Sequence, residues 1–456
     1  MEEDTIIALS TPPGPGGLGI IRLSGPSAYS IVWKMFEPKN KKYKKIPSRQ
    51  PILGEILDWD KKEPFEEAIV TYFPKPHSYT KEDVIEISCH GSPVILEEIL
   101  KLGIKGGARL ARPGEFTLRA YLNGRIDLIQ AEAVNDLISA STLKQAKLSF
   151  SQLEGRLSKK IYKIREKIIN LISRVEAAIE FPEENLGVDQ SLTENQIDEI
   201  LKLLQPVIDS YNYGRMLKEG TTVVITGKPN VGKSSLFNVL LQQERAIVTP
   251  YPGTTRDFLQ EKVKIRDMSF LFIDTAGIGD SIHPVEVEGI KRGRKLIEEA
   301  EGILLMFDLS EKETKEDFEL INQLRNKKII YVFNKMDLPS KIDKKRILKC
   351  INNHPWLEIS AKEEINLDKL KELIFQTFIP QEKERDEIIT NLRQKIMLDK
   401  MVEHLKEAKD LLKKGYSEEF FLEETRKAAD YIGQLTGEIK IDEILDEIFN
   451  NFCIGK

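Results

Sequence analysis

The chain has 456 residues, 41% of them hydrophobic, and this length suggests about three domains. The formal net charge of −5 excludes a global positive field that would attract nucleic acid, so an RNA contact needs a local basic patch. The cysteines Cys89, Cys350 and Cys453 lie far apart, without the spacing of a metal site or a disulfide framework, as expected for a reducing cytosol.

Two features of the composition bear on location. The first residues, Met-Glu-Glu-Asp-Thr-Ile-Ile-Ala, carry acids where a signal peptide has positive charge. A membrane span needs about 18 consecutive apolar residues, and no apolar run approaches that length. We therefore expect a cytoplasmic protein with no membrane contact. The stretch 39–49 is rich in Lys and Pro, and this composition favours a solvated loop.

The first predicted domain, residues 1–117, is a small α+β domain. Short runs of β-forming residues alternate with Gly and Pro turns up to about Arg112, and one amphipathic stretch predicts a helix at 93–102. The predicted strands are 20–23, 68–73 and 84–88.

Helical periodicity follows in the predicted domain 118–218, where apolar residues recur at helical spacing through 128–138 and 157–171. From 219 to 380 apolar strands alternate with helical stretches, which predicts an α/β nucleotide-binding domain. Helical periodicity returns in 381–456, at Leu392, Ile396 and Met401. We therefore expect a multidomain α/β and α+β protein whose mostly helical central domain carries an inserted Ras-like P-loop G domain. The predicted strands of that domain are 223–225, 270–273, 303–307, 329–333 and 357–359.

A phosphate-binding loop follows the first of these strands. The run Gly227-Lys-Pro-Asn-Val-Gly232-Lys233-Ser234 matches G-x-x-x-x-G-K-[ST] and precedes a predicted helix. Its backbone N–H groups would surround the phosphates, Lys233 would neutralise the β and γ oxygens during catalysis, and Ser234 would ligate Mg²⁺. The GTP-binding residues predicted here are Gly227, Asn230, Val231, Gly232, Lys233, Ser234 and Ser235.

Two further motifs are typical of a switch around the γ-phosphate. Asp274 ends a predicted strand, where a carboxylate holds Mg²⁺ through water, and the backbone of Thr275, Ala276 and Gly277 would sense the γ-phosphate. Thr255, in the run Gly-Thr-Thr-Arg-Asp at 253–257, is the candidate for a second Mg²⁺ hydroxyl that orders on GTP binding.

The base-recognition motifs follow the last two strands. Asp337, in the run Asn334-Lys335-Met-Asp337, has a carboxylate that accepts both N–H groups of a guanine edge, which adenine does not offer. The backbone of Ser360-Ala361-Lys362 would contact the guanine O6. These motifs predict selection of GTP over ATP.

The expected hydrolytic machinery departs from a Ras-like GTPase. Ile278 stands where the water-orienting glutamine would follow Gly277. Glu286 is a candidate general base, although a lone Glu is more often solvated surface. Asn230 could offer a carbonyl oxygen to a K⁺ ion between the phosphates, supplying charge in place of an arginine finger.

The chain resembles the MnmE (TrmE) family of tRNA-modifying GTPases essentially from end to end. The motifs that carry this resemblance are the run Thr-Pro-Pro-Gly-Pro-Gly-Gly-Leu-Gly-Ile-Ile-Arg-Leu-Ser-Gly at 11–25, Glu-Asp-Val-Ile-Glu at 82–86, Ala-Arg-Pro-Gly-Glu-Phe at 111–116, Leu-Asn-Gly-Arg at 122–125, the 253–257 run and the terminal Phe-Cys-Ile-Gly-Lys at 452–456. The family's N-terminal domain dimerises, and its G domains meet across the dimer.

On matching positions the resemblance implies a K⁺ site and a Mg²⁺ site, with Glu286 orienting the water. The implied ligands are Asn230, Thr249, Tyr251 and Thr254 for K⁺, and Ser234 and Thr255 for Mg²⁺; Thr249 and Thr254 also belong to the GTP site.

The same resemblance implies that Arg22, Glu86, Arg125 and Lys456 bind a tetrahydrofolate, the 5-formyl or methylene form, in the N-terminal domain. Cations suit its glutamate tail and a carboxylate suits the N–H edge of its pterin, while surface charges or ion pairs are the alternative explanation. Pro15 departs from relatives that carry a basic residue in this glycine-rich turn.

The implied function is potassium-stimulated GTP hydrolysis coupled to tRNA modification. With the FAD-containing partner MnmG, the family adds an aminomethyl or carboxymethylaminomethyl group to carbon 5 of the wobble uridine, using a folate one-carbon unit. The competing hypothesis is a GTPase switch in ribosome or RNA assembly without nucleoside chemistry, and the phosphate site alone does not separate the two.

Two features keep open interpretations. Cys453 is fourth from the end, but Gly455 and the terminal Lys do not fit a prenylation box. The thiol is either a catalytic nucleophile or redox group beside Lys456, or a small apolar plug. A row of cations at helical spacing either meets tRNA phosphates or is a solvated helix face. These cations are Arg156, Lys160, Lys163 and Lys167.

Overall fold

The computed structural model describes residues 4–180, 189–244, 260–274, 296–351, 353–380, 387–439 and 442–456. The chain forms two compact units. The first comprises Met1–Asn135, Gln152–Arg165 and Arg426–Lys456, and the second comprises Asp136–Ser151 and Glu166–Thr425.

In the first unit, seven strands of the described chain form a mixed sheet in the order β3-β4-β5-β6-β2-β1-β7. Neighbouring strands are antiparallel, except that β1 and β7 run parallel. The predicted strands of this domain lie inside β2, β5 and β6. The strands are β1 (Ile6–Leu9), β2 (Gly16–Ser24), β3 (Phe36–Pro38), β4 (Ile52–Leu57), β5 (Pro64–Phe73), β6 (Val84–Gly91) and β7 (Arg109–Leu110).

Alternation along these strands buries one set of side chains under two helices, Ala28–Met35 and Pro93–Lys105. Ile21, Val70 and Ile99 are fully buried in the resulting core. The predicted helix at 93–102 is confirmed and continues for three more residues, to Gly106 as its C-cap.

A smaller core in the same unit involves the chain's last helix, Asp442–Asn450. Phe449 and the following Phe452 pack with Tyr121 and Leu128. The Tyr121 hydroxyl also donates a hydrogen bond to the carbonyl of Gly437. The C-terminal segment is therefore an integral part of the N-terminal unit.

The second unit contains a six-stranded sheet in the order β13-β12-β11-β8-β10-β9, again counting described residues. All neighbours are parallel except the β9–β10 hairpin. Every residue of β11 and β12 is buried, as expected for a sheet covered by helices on both faces. The strands are β8 (Thr221–Gly227), β9 (Gln260–Ile265), β10 (Met268–Asp274), β11 (Gly302–Asp308), β12 (Ile329–Asn334) and β13 (Trp356–Glu358).

The predicted strand at 357–359 was placed one residue too late. The observed ladder pairs Glu358 with Phe333, and Ile359 still donates its N–H to the Phe333 carbonyl at 2.8 Å but lies past the last paired residue. The helices of this α/β region are Lys233–Glu244, Lys315–Leu324, Lys344–Cys350 and Leu367–Phe378.

The remaining helices confirm the helical pattern on both sides of the α/β region. Their buried positions include the predicted apolar rows, for example Leu157, Ile161 and Ile168. None of the helices in the described segments is both long and apolar enough to cross a membrane. These helices are Glu115–Leu122, Leu128–Ile138, Leu143–Leu153, Arg156–Glu180, Gln190–Asp209, Tyr211–Glu219, Leu392–Lys413 and Glu418–Thr436.

A polar contact joins the segments that enter and leave the α/β region. Lys218, just before β8, lies 2.9 Å from the buried carboxylate of Asp136, and Thr390 donates to the other oxygen of that carboxylate at 3.2 Å. The Lys218 ammonium also donates to the Asn391 side chain. Asp136 thus holds both connections of the inserted region to one helix end.

We predict that Asp136→Ala lowers the free energy of unfolding by about 1–3 kcal/mol, because it removes the buried acceptor shared by the half-buried Lys218 ammonium and the buried Thr390 hydroxyl. The measurement is chemical denaturation followed by far-UV circular dichroism. Asp399→Ala is the matched control, since Asp399 makes an exposed pair with Lys395 and should change little. Equal midpoints for the two variants would contradict the assignment of Asp136.

Candidate guanine-nucleotide site and terminal cluster

The phosphate loop leaves the carboxyl end of β8, which lies between β10 and β11. The Lys233 ammonium donates to the carbonyl oxygens of Gly227 at 3.0 Å and of Lys228 at 2.8 Å. Lys233 is buried, and Val231 anchors the loop in the core. Asn230 takes a left-handed conformation at φ 62°, so the loop is a tight turn that aims backbone groups at one point.

The predicted magnesium ligand Ser234 lies beside Asp274. Ser234 Oγ donates to Asp274 Oδ2 at 2.7 Å, because the parallel pairing of β8 and β10 sets Ile225 opposite Asp274. A hydroxyl and a carboxylate are the oxygen ligands that Mg²⁺ prefers, so the pair fits that ion.

The buried amide of Asn334 joins the phosphate loop to a base-recognition loop. Asn334 Nδ2 donates to the Val231 carbonyl at 2.8 Å, and Asn334 Oδ1 accepts the Ala361 N–H at 2.9 Å. The contact requires a glycine at position 232, where a Cβ would lie 2.2 Å from Asn334 Nδ2. The structure therefore brings together the predicted residues of both loops.

Asp337 is oriented by Ser360, whose Oγ donates to Asp337 Oδ1 at 2.6 Å. The same Oγ accepts the Glu363 N–H at 3.1 Å, which fixes the hydroxyl's direction. The hydrogen bond from Ser360 holds the pKa of Asp337 below its usual value. Asp337 is therefore a carboxylate near neutral pH, the form that accepts two N–H groups.

Lys335 forms an ion pair with the buried Asp308, with 2.5 Å between Nζ and Oδ2. Burial alone would raise the pKa of Asp308, but hydrogen bonds from Lys335 and Ser310 outweigh it and the pKa is lowered. Sequence reasoning missed Asp308. Its position at the end of a fully apolar strand, at the carboxyl edge of the sheet, is the signal that would have found it.

For several predicted residues the structure adds little to the description of the site. Asn230 and Ser235 are exposed, and the exposed Lys362 pairs with the adjacent Glu363 at 3.4 Å. The remaining predicted residues lie outside the described part of the chain: Thr249, Tyr251, Thr254, Thr255, Thr275, Ala276, Gly277 and Glu286.

A second cluster lies in the first unit, on the β2–β6 ladder. Arg22 and Glu86 are opposite each other in register, and Arg22 Nη2 lies 2.7 Å from Glu86 Oε1. The guanidinium also lies over the Phe116 ring, 5.7 Å from its centroid. Two of the four predicted folate residues thus form one fixed pair.

The C-terminal tail is docked on this pair. The Gly455 carbonyl accepts hydrogen bonds from Arg22 Nη1 at 3.4 Å and from Ser10 Oγ at 3.2 Å. The Lys456 carbonyl accepts the Phe116 N–H at 3.1 Å. These acceptors are backbone atoms, which the tail's side-chain pattern does not reveal.

The charges around Lys456 shape its titration. Burial lowers the pKa of its ammonium, and the nearby Arg22 lowers it further, while Glu86 and Cys453 act in the opposite direction. Lys456 therefore joins Arg22 and Glu86 in one cluster. Two cationic side chains close together suit an anionic ligand such as a carboxylate, because the anion offsets their mutual repulsion.

The fourth predicted residue, Arg125, is exposed and lies 4.8 Å over the Tyr79 ring. Burial raises the pKa of Tyr79, and the positive charges of Arg125 and Arg22 oppose that shift. Tyr79 Oη is 2.9 Å from Thr117 Oγ1. Tyr79 was not predicted, and it lies within electrostatic range of both arginines.

The two open interpretations gain structural detail. Cys453 is exposed, so an apolar plug does not fit, and its carbonyl accepts the Gly114 N–H at 3.4 Å. In the row of cations, Arg156 pairs with Glu154 at 3.6 Å and Lys167 with Glu199 at 3.2 Å, while Lys163 is exposed. Part of that row is therefore balanced by acids.

The chain is a P-loop protein of the guanine-nucleotide-binding class. Three features define this class: the strand β8 between two parallel neighbours, the phosphate loop that follows it, and the base-recognition loop from Asn334 to Asp337. A family model described as "GTP-binding protein TrmE N-terminus" matches residues 5–125, and "MnmE helical domain" matches residues 128–453.

Relatives named "tRNA modification GTPase MnmE" match the whole chain. The protein of Thermoanaerobacter sp. (strain X514) is 42% identical over 463 residues, covering 100% of both chains. That of Natranaerobius thermophilus is 41% identical over 461 residues, and that of Syntrophotalea carbinolica 40% over 461, again with 100% of both chains covered. The chain belongs to the MnmE (TrmE) family of GTPases.

We predict that Gly455→Ala releases the tail. Gly455 has φ 89°, and a Cβ there would lie 2.1 Å from the Leu9 carbonyl oxygen. Loss of the Lys456 contact should speed hydrogen exchange at the Phe116 amide by about tenfold or more. Gly107→Ala is matched for backbone strain, since Gly107 has φ 102° with no atom within 4 Å of a Cβ. Unchanged exchange at Phe116 in Gly455→Ala would contradict the docking.

Proposed function

We propose that this chain is a cytoplasmic, potassium-stimulated GTP hydrolase that modifies carbon 5 of the tRNA wobble uridine. It would act with the FAD-containing partner MnmG and a tetrahydrofolate one-carbon unit, giving aminomethyl or carboxymethylaminomethyl products. One observation carries the proposal: this member of the family has two distinct sites. The first is the Asp337–Ser360 contact suited to guanine, and the second is the cluster of Arg22, Glu86 and Lys456. A GTPase without nucleoside chemistry has no evident need for the second cluster.

The proposed domains are an N-terminal tetrahydrofolate-binding and dimerisation domain at 1–117, a helical domain in two parts at 118–218 and 381–456, and a G domain at 219–380. Within the G domain, Lys233 binds the phosphates, Ser234 and Thr255 hold Mg²⁺, and Asp337 accepts the guanine edge. The 2.7 Å contact between Ser234 and Asp274 supports the magnesium assignment.

The proposed potassium ion replaces an arginine finger. Its ligands would be Asn230, Thr249, Tyr251 and Thr254, and Glu286 would orient the attacking water. The left-handed, exposed Asn230 supports this, because the turn leaves its side chain at the surface of the phosphate loop, where a second G domain has access. The ion would stabilise charge that develops between the phosphates.

The proposed folate site uses Arg22 and Lys456 for the glutamate tail, Glu86 for the N–H edge of the pterin, and Arg125 as a further cation. The Arg22–Glu86 pair is held in register on two strands, and so presents a donor and an acceptor side by side. Cys453, exposed in the same tail, is the candidate nucleophile or redox group.

Dimerisation through the N-terminal domain is supported by an exposed apolar pair. Leu53 and Ile69 are cross-strand neighbours on β4 and β5, and they are 44% and 43% exposed. Burying such a pair against a second copy of the chain would remove apolar surface from water.

The test of the proposed function is mass spectrometry of tRNA nucleosides from a strain that lacks this gene. We expect loss of the carbon-5 modifications of wobble uridine and their return on complementation. Unchanged wobble uridines would overturn the proposal and favour a GTPase switch in ribosome or RNA assembly.

For base selection, we predict that Asp337→Asn shifts nucleotide preference from GTP toward xanthosine triphosphate. The amide offers an N–H where the carboxylate accepted one, and xanthine presents a carbonyl oxygen at that edge. Competition binding with both nucleotides measures the shift, and Asp343→Asn, at an exposed helix N-cap, is the control. Retained GTP selectivity in Asp337→Asn would count against the assignment.

For the hydrolytic step, we predict much faster GTP hydrolysis in K⁺ than in Na⁺. Glu286→Ala should lower the rate by about 10²–10⁴-fold while GTP still binds, because it removes the proposed general base. Steady-state hydrolysis and equilibrium binding separate the two effects. Equal rates in the two salts would refute the cation site, and full activity of Glu286→Ala would refute the role of Glu286.

A further inference from the structure

Lys228, the residue after Gly227 in the phosphate loop, turns its side chain inward. Its side chain is 14% exposed, and its ammonium lies 2.8 Å from Asp317 Oδ2 and 3.3 Å from Thr314 Oγ1. A lysine in a surface loop ordinarily extends into water, so this burial marks a specific contact. The phosphate loop is thereby tied to the helix Lys315–Leu324, which follows β11.

Asp317 is fixed independently of Lys228. Its side chain is 3% exposed, and its Oδ2 accepts the Thr314 N–H at 2.8 Å and the Thr314 hydroxyl at 3.1 Å. The bond from the Thr314 N–H is one half of a capping box at the start of that helix, in which the Asp317 N–H donates in turn to the Thr314 side chain. The carboxylate is therefore a rigid anchor rather than a mobile surface acid.

The backbone of Lys228 contacts Lys233. Its carbonyl oxygen accepts a hydrogen bond from Lys233 Nζ at 2.8 Å. One residue thus connects the buried anchor Asp317, through its side chain, to the phosphate-binding ammonium of Lys233, through its main chain. A change at the anchor would move the carbonyl that holds Lys233.

A direct role of Lys228 as a second phosphate ligand does not fit this arrangement. Its ammonium is already paired with a buried carboxylate, and leaving would strand that charge away from water. The contact instead resembles the support that fixes a reactive side chain in place.

We propose that Lys228 and Asp317 are positioning residues of the GTPase site, which hold the phosphate loop and the Lys233 ammonium in the geometry that retains the nucleotide. The inference rests on the proposed binding of GTP at this loop. Lys228 acts through Lys233 and touches no nucleotide.

The test measures release of a fluorescent GDP analogue by stopped flow from the full-length chain. Lys228→Met and Asp317→Asn are each expected to raise the release rate by about tenfold, because each removes the contact that fixes the Lys228 carbonyl and, through it, the Lys233 ammonium. The double variant should release no faster than either single one, since both remove the same contact. Lys228→Arg keeps the positive charge and should release the analogue at the wild-type rate. A general loss of folding on substitution at this position would not spare that variant.

A matched control separates positioning from helix capping. Asp317 is the third residue of its helix, and Asn in its place keeps a side-chain oxygen that accepts the Thr314 N–H while removing the charge. Asp343→Asn likewise removes a carboxylate charge at the start of a helix, here at the N-cap of Lys344–Cys350, where the side chain accepts the Arg346 N–H and contacts no residue of the phosphate loop within the described chain. Its release rate should match that of the wild type.

Wild-type release from Lys228→Met, or effects of the two single changes that multiply in the double variant, would overturn the inference. The outcome is distinguishable from failure of the proposed function. If the wild-type chain binds no guanine nucleotide, the proposed function fails; if it binds and the variants behave like it, the positioning role alone is wrong.

Discussion

The nucleotide site depends on one buried amide, that of Asn334. It donates to the phosphate loop at Val231 and accepts from the base loop at Ala361, so it joins loops that leave three different strands of the sheet. The strands β8, β12 and β13 run parallel, and their carboxyl ends therefore meet at one edge. An unpaired buried amide is costly, so both loops are confined to the spacing that satisfies both of its ends.

A network of buried charges in the first unit shows the same principle. Arg119 is buried among the carboxylates of Asp4, Glu82 and Glu115, and Arg109 pairs with Asp4 and Glu115. Burial would raise the pKa of Glu115, but hydrogen bonds from Arg109, the Arg112 N–H and Arg119 lower it. The network fixes the start of the helix Glu115–Leu122. The first turn of that helix contains the Phe116 N–H, which donates a hydrogen bond to the Lys456 carbonyl of the tail.

Local sequence patterns predicted the fold well where a single motif, or a single apolar face of a helix, determines the structure. The strand, glycine-rich loop and helix around Lys233 were predicted because the motif needs that context, and the apolar rows at Leu157 and Ile161 were predicted because they cover a core. The Asp337–Ser360 contact was not predicted as a contact, although both residues were. It joins positions 23 residues apart, and no local rule gives that distance.

The missed residues share a physical cause. Lys228 and Asp317 are 89 positions apart, and each alone has the composition of a surface charge. Gly455 contributes a backbone carbonyl, which carries no side-chain signal. The predicted folate residues came from resemblance, and the structure adds that Arg22 and Glu86 are paired in register on neighbouring strands. Long-range pairing and backbone acceptors are what a single sequence leaves undetermined.

Two separate sites in this chain are proposed to serve one reaction. The most direct measurement uses Arg22→Ala, which removes one of the two cations of the cluster of Arg22, Glu86 and Lys456 and leaves the G domain untouched. GTP hydrolysis by the purified variant and the wobble nucleosides of a deletion strain that carries it are measured together. We expect hydrolysis close to the wild-type rate and loss of the modified uridines. Wild-type levels of modified uridine would contradict the claim.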